Sequence, residues 1–282
     1  MKKVSIYCSC LTIIITAIAF TGRAGIAGDT VYTIGVVPQF DARRLQAIWR
    51  PILDELEQRT GKRFQLRGSP TIPEFERELM NGAFDFAYMN PFHAALASRD
   101  QGYVPMVRDV GRTLQGVLVV REDSPVQEIS DLDGKIIAFP APNALGASLQ
   151  MRTELHNIHG IRIQPLYVKT HDSVYLNVFL GQTPAGGGVQ KTLKRQRPEI
   201  REALRILYET RGVAPHPIMV HSRIPKAMRR KVTEALLALG NKPDGKALLQ
   251  KIPIKQVGPA SISDYTPLFD MGLEAFYVKP SS

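Results

Sequence analysis

Apolar positions along the chain alternate between two spacings, short continuous runs and helical repeats. The first run, 32–37, ends at Pro38, and helical spacing follows over 45–56. Further strands are predicted at 64–66, 84–89, 104–107, 116–120, 135–139, 163–168, 204–208 and 218–220, and further helices at 72–80, 91–99, 147–156, 173–180, 225–239 and 262–276. Strands that alternate with helices of this length predict βα units and a mostly parallel sheet covered on both faces.

The alternation comes in two blocks, which predicts an α/β protein of two lobes, each a mixed, mostly parallel sheet flanked by helices. Crossings near residues 120 and 213 place 28–120 and 214–282 in the first lobe and 121–213 in the second. The run Gly186-Gly187-Gly188 is interpreted as a turn, because no Lys-Ser/Thr pair follows it. We expect a ligand cleft between the lobes, since strand ends and lobe interfaces concentrate binding groups.

The first 27 residues are predicted to be a signal peptide. Two lysines precede an apolar run over 4–20, and Ala27 ends a plausible small-residue cleavage site. An uncleaved anchor helix is the alternative, although the run is at the short end of what spans a hydrocarbon core of about 30 Å. Both cysteines, Cys8 and Cys10, lie in this segment, so the exported chain would carry no thiol.

The charge balance favours anionic partners without saying which. The formal net charge is +10, from 36 Lys and Arg against 26 Asp and Glu, and a positive field raises the local concentration of anions. Two basic segments, 191–197 and 226–231, have no interleaved aromatic residues and no nucleic-acid motif. We interpret them as solvated helix faces and expect no nucleic-acid partner.

Sequence signatures of catalysis and of metal binding are missing. The chain has no GxSxG elbow, no HExxH, no phosphate-binding GxxxxGK[ST] loop and no GxGxxG after a strand. The close pair His156 and His159 lies at a predicted helix end, where a surface turn is the default. We therefore expect no metal and no cofactor. An exported enzyme that uses His171 and Asp172 is an alternative, but no separate nucleophile accompanies them.

Three segments at strand ends form a candidate site for an anion. Segments 143–147 and 170–173 each precede a helix, whose first N–H groups and dipole favour negative charge. Segment 88–93 ends a strand of the first lobe on the facing wall of the cleft. The alternative for each segment is a helix cap or a Pro-led helix start. The candidate ligand-binding residues are Tyr88, Asn90, His93, Asn143, Ala144, Leu145, Gly146, Ala147, Thr170, His171, Asp172 and Ser173.

Six segments spread over residues 32–239 carry a family resemblance. In chain order they read IGVVP, NGAFDFAYMNP, SPVQEISDLDGKIIAF, GASLQMR, THDSVYLNV and PHPIMVHSRIP. Together they resemble the PhnD-like periplasmic solute-binding proteins of phosphate, phosphite and phosphonate ABC transporters. The resemblance implies a two-lobed type II binding-protein fold that closes around an oxyanion and delivers it to an ABC permease.

The sequence departs from this family where the ligand would bind. In the phosphonate binders a Ser-Thr-Ser run precedes the glycine of the second-lobe helix, whereas this chain has Asn143, Ala144 and Leu145. Each hydrogen bond lost to a charged group costs about 1.5–3 kcal/mol. Segment 170–172 matches the family's Ser-His-Asp-like segment, and Asn90 stands where a glycine is common. The departure predicts a ligand that is smaller, less charged or more apolar than a phosphonate.

These observations predict a periplasmic, non-catalytic and monomeric binding protein that captures a small oxyanion by closure of its lobes. Its partner in the inner membrane would be an ABC permease or a sensor histidine kinase, and the chain does not say which. A scaffold or chaperone-like protein with a degenerate cleft is a third possibility, which the lost hydroxyls allow.

Overall fold

The computed structural model describes Met1 and residues 30–279, so the predicted signal peptide and its cleavage near Ala27 lie outside the described residues. The first sheet has six strands. They are β1 (Val31–Val36), β2 (Arg63–Gly68), β3 (Phe86–Tyr88), β4 (Tyr103–Asp109), β10 (Ile218–His221) and β11 (Val257–Pro259). Their order is β11-β4-β10-β3-β1-β2, with β1 parallel to β2 and β3, and β10 antiparallel to β3 and β4.

The second sheet has five strands and contains the middle of the chain. They are β5 (Gly116–Arg121), β6 (Ile136–Phe139), β7 (Gln164–Tyr167), β8 (Ala185–Val189) and β9 (Leu204–Glu209). Their order is β7-β6-β8-β5-β9, with β6 parallel to β7 and β8, and β5 antiparallel to β8 and β9. Each sheet with its helices forms one lobe of a type II binding-protein fold.

The chain passes between the sheets twice, in segments 110–115 and 210–217. Leu114 and Val213 form an isolated antiparallel bridge that joins the two crossing segments. The sequence placed the first crossing near residue 120, which is too late, because β5 pairs with β8 and β9 in the second sheet. A fully apolar strand such as GVLVV fits the centre of either sheet, so its sequence alone does not assign it to a lobe.

Helices cover both sheets. They are α1 (Ala42–Thr60), α2 (Ile72–Met80), α3 (Pro91–Gln101), α4 (Gln150–Asn157), α5 (His171–Phe179), α6 (Gln190–Lys194), α7 (Pro198–Glu202), α8 (Lys226–Leu239) and α9 (Pro243–Lys251). A π-helical turn, Leu145–Leu149, leads directly into α4. Side-chain caps begin several of these helices: Asp41 accepts from the backbone N–H of Arg44, and Thr71 from that of Glu74. Within the described residues, no helix combines the length and the apolar character needed to cross a membrane.

The last predicted helix, 262–276, is wrong. The structure has three short 3-10 turns there, Ile262–Asp264, Thr266–Met271 and Leu273–Phe276. Gly272 lies between the second and third turns with φ of 73°, a left-handed conformation that ends a helix. The apolar spacing of this segment arises because its turns pack on the core, with Tyr265 and Leu268 buried.

Apolar side chains also join the two lobes. One buried cluster contains Phe92 and Leu96 of α3 together with Leu145 and Leu149 of the π-helical turn. Ala141, Ala144 and Ala147 of the second lobe belong to the core cluster of the first lobe. The two lobes are therefore packed against each other beside the crossing segments.

The Gly186-Gly187-Gly188 run, predicted as a turn, is instead the middle of strand β8. A Cβ on Gly187 would lie 2.0 Å from the carbonyl oxygen of Ala147 and 2.5 Å from the Phe139 ring, and a Cβ on Gly188 would lie 2.1 Å from the Tyr175 hydroxyl. These glycines let the π-helical turn and two aromatic rings approach the sheet closely. The run is a packing surface for the segment that begins α4.

We expect Gly187→Ala to lower the free energy of unfolding by about 1–3 kcal/mol, because the added methyl group overpacks this contact. Urea denaturation of the variant and the parent measures the effect. Gly68→Ala is the matched control, since Gly68 ends β2 with nothing within 4 Å of an added Cβ, and it should change stability by no more than about 0.5 kcal/mol. Equal stability of the two variants would contradict the packing argument.

Candidate functional site

Two helix starts of the second lobe lie at the same edge of its sheet. Strand β6 leads to the π-helical turn that begins at Leu145, and β7 leads to α5, which begins at His171. Because β6 and β7 are parallel neighbours, their carboxyl ends meet at one edge. In the first lobe, Tyr88 is the last residue of β3 and is buried.

Asn90 and Asn143 bind each other across the lobes. Asn90 Nδ2 donates to the backbone carbonyl of Asn143 at 3.1 Å. Asn143 Nδ2 donates to the two carboxylate oxygens of Glu76 at 3.0 and 2.8 Å, and its Oδ1 accepts from the backbone N–H of Val278 at 3.0 Å. The side-chain amides of both residues therefore have hydrogen-bond partners within the protein, and their contact with a ligand stays a prediction.

Glu76 is the centre of this buried arrangement, with an exposed fraction of 1%. Besides Asn143, the Tyr277 hydroxyl donates to its carboxylate, and His93 Nε2 lies 3.4 Å from Oε1. Burial acts to raise the pKa of Glu76, but His93, Asn143 and Tyr277 favour the ionised form, so the pKa is lowered overall. We call these residues, with Asn90, the Glu76 cluster.

The sequence contained an overlooked signal for Glu76. Buried positions of α2 recur at Ile72, Phe75 and Leu79, and Glu76 lies on the same helical face. A carboxylate on an apolar face needs a partner inside the protein, because an unpaired buried charge is strongly destabilising. His93, which was predicted to contact ligand, supplies part of that partnership.

The rest of segment 143–147 contributes backbone rather than side chains. The Leu145 side chain is buried in the apolar cluster between the lobes, so the contact with ligand predicted for this residue would have to come from its backbone. The carbonyl of Ala144 accepts from the N–H of Ser148 at 2.7 Å. Gly146 packs on Gly116, because a Cβ added to Gly116 would lie 1.8 Å from the carbonyl oxygen of Gly146. The first N–H groups of this turn, at 145–147, have no intrahelical acceptor.

The start of α5 combines a cap with a free imidazole nitrogen. Thr170 Oγ1 accepts from the backbone N–H of Ser173 at 3.0 Å, and Asp172 Oδ1 accepts from Gln196 Nε2 at 2.6 Å. His171 is only 9% exposed, and its buried Nδ1 has no hydrogen-bond partner within the described residues. Burial lowers the pKa of His171 to about 4, against a smaller opposite effect of Asp172. His171 is thus a neutral ring with one nitrogen available.

His216, which the sequence analysis did not select, lies beside it. Its ring stacks on Tyr88, with 5.4 Å between centroids and 27° between planes. Gln39 Nε2 lies 3.1 Å from His216 Nε2; an amide nitrogen only donates, so Nε2 accepts and the ring proton is on Nδ1. Burial lowers the pKa of His216 to about 3. Part of this lowering of the pKa comes from neighbouring bases, which are His93, Arg112, His171 and Lys191.

Lys191 reaches this region from the carboxyl end of β8. It is half-buried, and its Nζ lies 3.4 Å from the backbone carbonyl of Gln250 in the first lobe. Burial lowers the pKa of Lys191 to about 7, and the positive charges of Arg195, Arg112 and Lys255 add to this, while Asp109 opposes it. The interpretation of 191–197 as a solvated face is therefore wrong for Lys191. Recognising the glycine run as a strand would have placed Lys191 at the ligand edge of the sheet.

His171, Lys191 and His216, which we call the central basic group, combine donors and positive charge in a low-dielectric place between the lobes. Such a group can bind an anion. Among residues 30–279, no cluster of three or more His, Cys, Asp or Glu side chains is arranged to hold a metal ion.

Comparison with protein families gives the class of protein. Residues 34–265 match the family described as "ABC transporter, phosphonate, periplasmic substrate-binding protein". The chain belongs to this family of periplasmic solute-binding components, which are parts of transporters and not enzymes.

Solved structures share the fold at low sequence identity. A binding protein component of an ABC phosphonate transporter from Pseudomonas aeruginosa superposes with a TM-score of 0.76 at 14% identity, covering 86% of this chain and 85% of that one. PhnD1 from Prochlorococcus marinus, in complex with methylphosphonate, gives 0.76 at 14% identity, covering 87% and 98%. A Xanthomonas citri protein bound to chloride ion gives 0.75 at 18% identity, also covering 87% and 98%.

We expect Glu76→Gln to destabilise the protein at pH 7 by about 1–3 kcal/mol, because an amide cannot accept all the hydrogen bonds that converge on the carboxylate. A lowered carboxyl pKa stabilises the fold above the ordinary value of about 4.3, and this contribution is lost as the pH falls through the lowered pKa. The variant's stability should therefore fall less steeply on acidification, as measured by urea denaturation from pH 7 to pH 3.

The matched control is Glu234→Gln, an exposed glutamate of α8 whose Oε1 lies 3.7 Å from Arg230 Nε. It should change stability by less than about 0.5 kcal/mol at any of these pH values. If the free energy of unfolding of the Glu76→Gln variant falls as steeply from pH 7 to pH 3 as that of the parent, the ionised form of Glu76 does not stabilise the packing of the lobes.

Proposed function

We propose that this binding protein captures a small oxyanion of the phosphate, phosphite or phosphonate kind between its lobes and delivers it to an ABC permease in the inner membrane. The observation that carries the proposal is the central basic group. His171, Lys191 and His216 come from both lobes, and their positive forms disfavour one another. Because both rings are neutral at pH 7, a bound anion would accept hydrogen bonds from the rings and pair with the Lys191 ammonium, and these contacts would stabilise the closed cleft.

The available donors suit an oxyanion. His171 Nδ1 has no partner, and the Nδ1–H of His216 makes no hydrogen bond within the described residues. Backbone N–H groups at 145–147 and at the start of α5 add donors of the kind that bind phosphate at helix N-termini. The Tyr88 hydroxyl also donates no hydrogen bond within residues 30–279, and burial raises its pKa, which keeps it protonated as a donor.

These donors bear on the loss of the family's hydroxyl run. Ala144 and Leu145 cannot replace these hydroxyl groups, because neither side chain has a polar atom and the Leu145 side chain is buried in the apolar cluster between the lobes. Lys191 and His216 supply positive charge and a donor instead, so we propose that a doubly charged phosphorus oxyanion is still a ligand. The solved complex of PhnD1 with methylphosphonate makes that compound a suitable first probe. The monomeric state and the alternative sensor-kinase partner stay predictions.

We expect methylphosphonate, phosphite or phosphate to raise the melting temperature of the chain from residue 28 onwards. A ligand at about 100 times its Kd adds about 2.7 kcal/mol, which corresponds to about 5–10 °C for a protein of this size. His171→Ala should weaken binding by about tenfold or more, because it removes a hydrogen bond to a charged group. Thermal shift with a ligand panel, followed by titration calorimetry, measures both effects.

His159→Ala is the control for this experiment, because His159 is an exposed histidine that packs edge-on to Tyr208. It should leave affinity unchanged. If no phosphorus oxyanion raises the melting temperature, or if both histidine variants bind as the parent does, the proposed ligand class or its place is wrong.

Lys191 predicts a pH dependence of binding. Its pKa is lowered to about 7 in the free protein, and a bound anion would raise it, so binding takes up a proton above pH 7. Affinity should fall as the pH rises above about 7. The acid groups of the ligand titrate in the same range, so the measurement is the difference between the parent and Lys191→Gln, by calorimetry from pH 6 to pH 9. A parallel dependence in both proteins would exclude Lys191 from the site.

A further inference from the structure

A cavity lined by residues outside the central basic group lies between the two lobes. Its volume is about 340 Å³, and residues of both lobes line it. Phe40 and Arg44 come from the first lobe, and Arg195 comes from the second. Leu176 and Ile200 give it an apolar wall. None of His171, Lys191 and His216 lines this cavity.

Two arginines from opposite lobes face one aromatic ring in this cavity. The guanidinium carbon of Arg44 lies 4.1 Å from the centroid of the Phe40 ring, and that of Arg195 lies 5.4 Å from the same centroid. Neither guanidinium forms an ion pair within the described part of the chain, whereas the third arginine of the wall, Arg197, pairs with Glu199 at 3.2 Å. The cavity therefore presents two positive charges without a carboxylate partner.

The one acidic side chain in the wall does not neutralise them. Asp172 Oδ1 accepts from Gln196 Nε2 at 2.6 Å, and no ion pair joins Asp172 to Arg44 or Arg195. The charge of Arg44, added to burial, lowers the pKa of Arg195, so the two guanidiniums act on each other as like charges. An anion between them would be favoured by both, and the Phe40 ring holds their planes in place.

The cavity shares two lining residues with the start of α5. Asp172 and Ser173 belong both to the helix start that follows His171 and to the wall of the cavity. A ligand whose oxyanion binds at the central basic group could therefore extend past Ser173 toward Arg195. The apolar wall of Leu176 and Ile200 would accept a short carbon chain along that path.

We infer that this cavity is a second anion subsite, which binds a carboxylate or a second phosphoryl group on the tail of the ligand. The favoured ligand is then a small molecule with two anionic groups. The inference rests on the proposed function, because the first group is held by the central basic group. Since Arg44 and Arg195 belong to opposite lobes, a tail anion bound by both also favours the closed state.

Calorimetry with four phosphonates tests the inference. Methylphosphonate has no tail charge, 3-phosphonopropionate carries a carboxylate, methylenediphosphonate a second phosphoryl group, and 2-aminoethylphosphonate a positive charge. We expect at least one ligand with two anionic groups to bind about tenfold more tightly than methylphosphonate, and the aminoethyl compound to bind more weakly. In the double variant Arg44→Gln/Arg195→Gln this advantage should disappear, while affinity for methylphosphonate changes by less than about twofold.

Arg197→Gln is the matched control, because it removes an arginine of the same wall that already has a carboxylate partner. It should keep the preference for a second anion. Melting of each ligand-free variant monitors folding, and the two single variants replace the double variant if it does not fold.

The outcomes separate the two proposals. If methylphosphonate binds but a second anionic group brings no gain, or if the gain survives in Arg44→Gln/Arg195→Gln, the subsite is wrong and the proposed function stands. If none of the four phosphonates binds, the subsite is wrong, and the proposed function fails as well if phosphate and phosphite also leave the melting temperature unchanged.

Discussion

The buried carboxylate of Glu76 is kept ionised by His93 and by hydrogen bonds from Asn143 of the second lobe and from Tyr277. A carboxylate removed from water costs several kcal/mol unless donors replace its hydration. Asn143 Nδ2 reaches both oxygens, and the same side chain holds Val278 through Oδ1. One amide therefore joins α2 of the first lobe, the segment before α4 and the end of the described chain. This contact therefore positions the π-helical turn Leu145–Leu149, which leads into α4 at the cleft.

Around that contact, acidic and basic groups lie in two separate clusters. In the Glu76 cluster the carboxylate accepts hydrogen bonds from Asn143 and Tyr277, so it contributes to the structure without a ligand. The central basic group has the opposite sign, with His171 and His216 leaving ring nitrogens without partners. A site whose polar groups have partners within the protein contributes to packing. A site with donors and positive charge that lack such partners is suited to bind a ligand.

The elements themselves were largely predictable from local pattern, and the lobe assignment and site were not. Alternating strands and helices follow from spacing, and the caps at Asp41, Thr71 and Thr170 follow from residue type. The pairing of β5 and the interior place of the Gly186-Gly187-Gly188 strand depend on contacts between distant segments. A glycine run has the same composition in a turn and in a strand that other segments approach closely, so the pattern did not decide between them.

The same limit applies to the twelve predicted site residues. The βα pattern predicted helix starts at 147 and 173, each two residues after the observed starts at Leu145 and His171, and it placed both at one edge of the sheet. Which side chains face the ligand depends on what the other lobe brings to that edge. Asn90, Asn143 and Leu145 are used between the lobes, while Lys191 and His216 enter from a strand and a crossing whose positions depend on the tertiary fold. Lobe contacts select the site residues from a larger set that local sequence makes available.

The closed arrangement is then a balance between opposing contributions. The Glu76 cluster and the apolar contact of Phe92 with Leu145 favour closure with or without ligand. The repulsion between the Lys191 ammonium and the positive charges of Arg195, Arg112 and Lys255 opposes it. A bound anion removes only this repulsion. Its binding energy therefore changes the free-energy difference between the open and closed states, and a ligand must change that difference to shift the population of the two states. A neutral solute of the same shape leaves the repulsion in place. The electrostatics of the cleft therefore link closure to the charge of the ligand as well as to its fit.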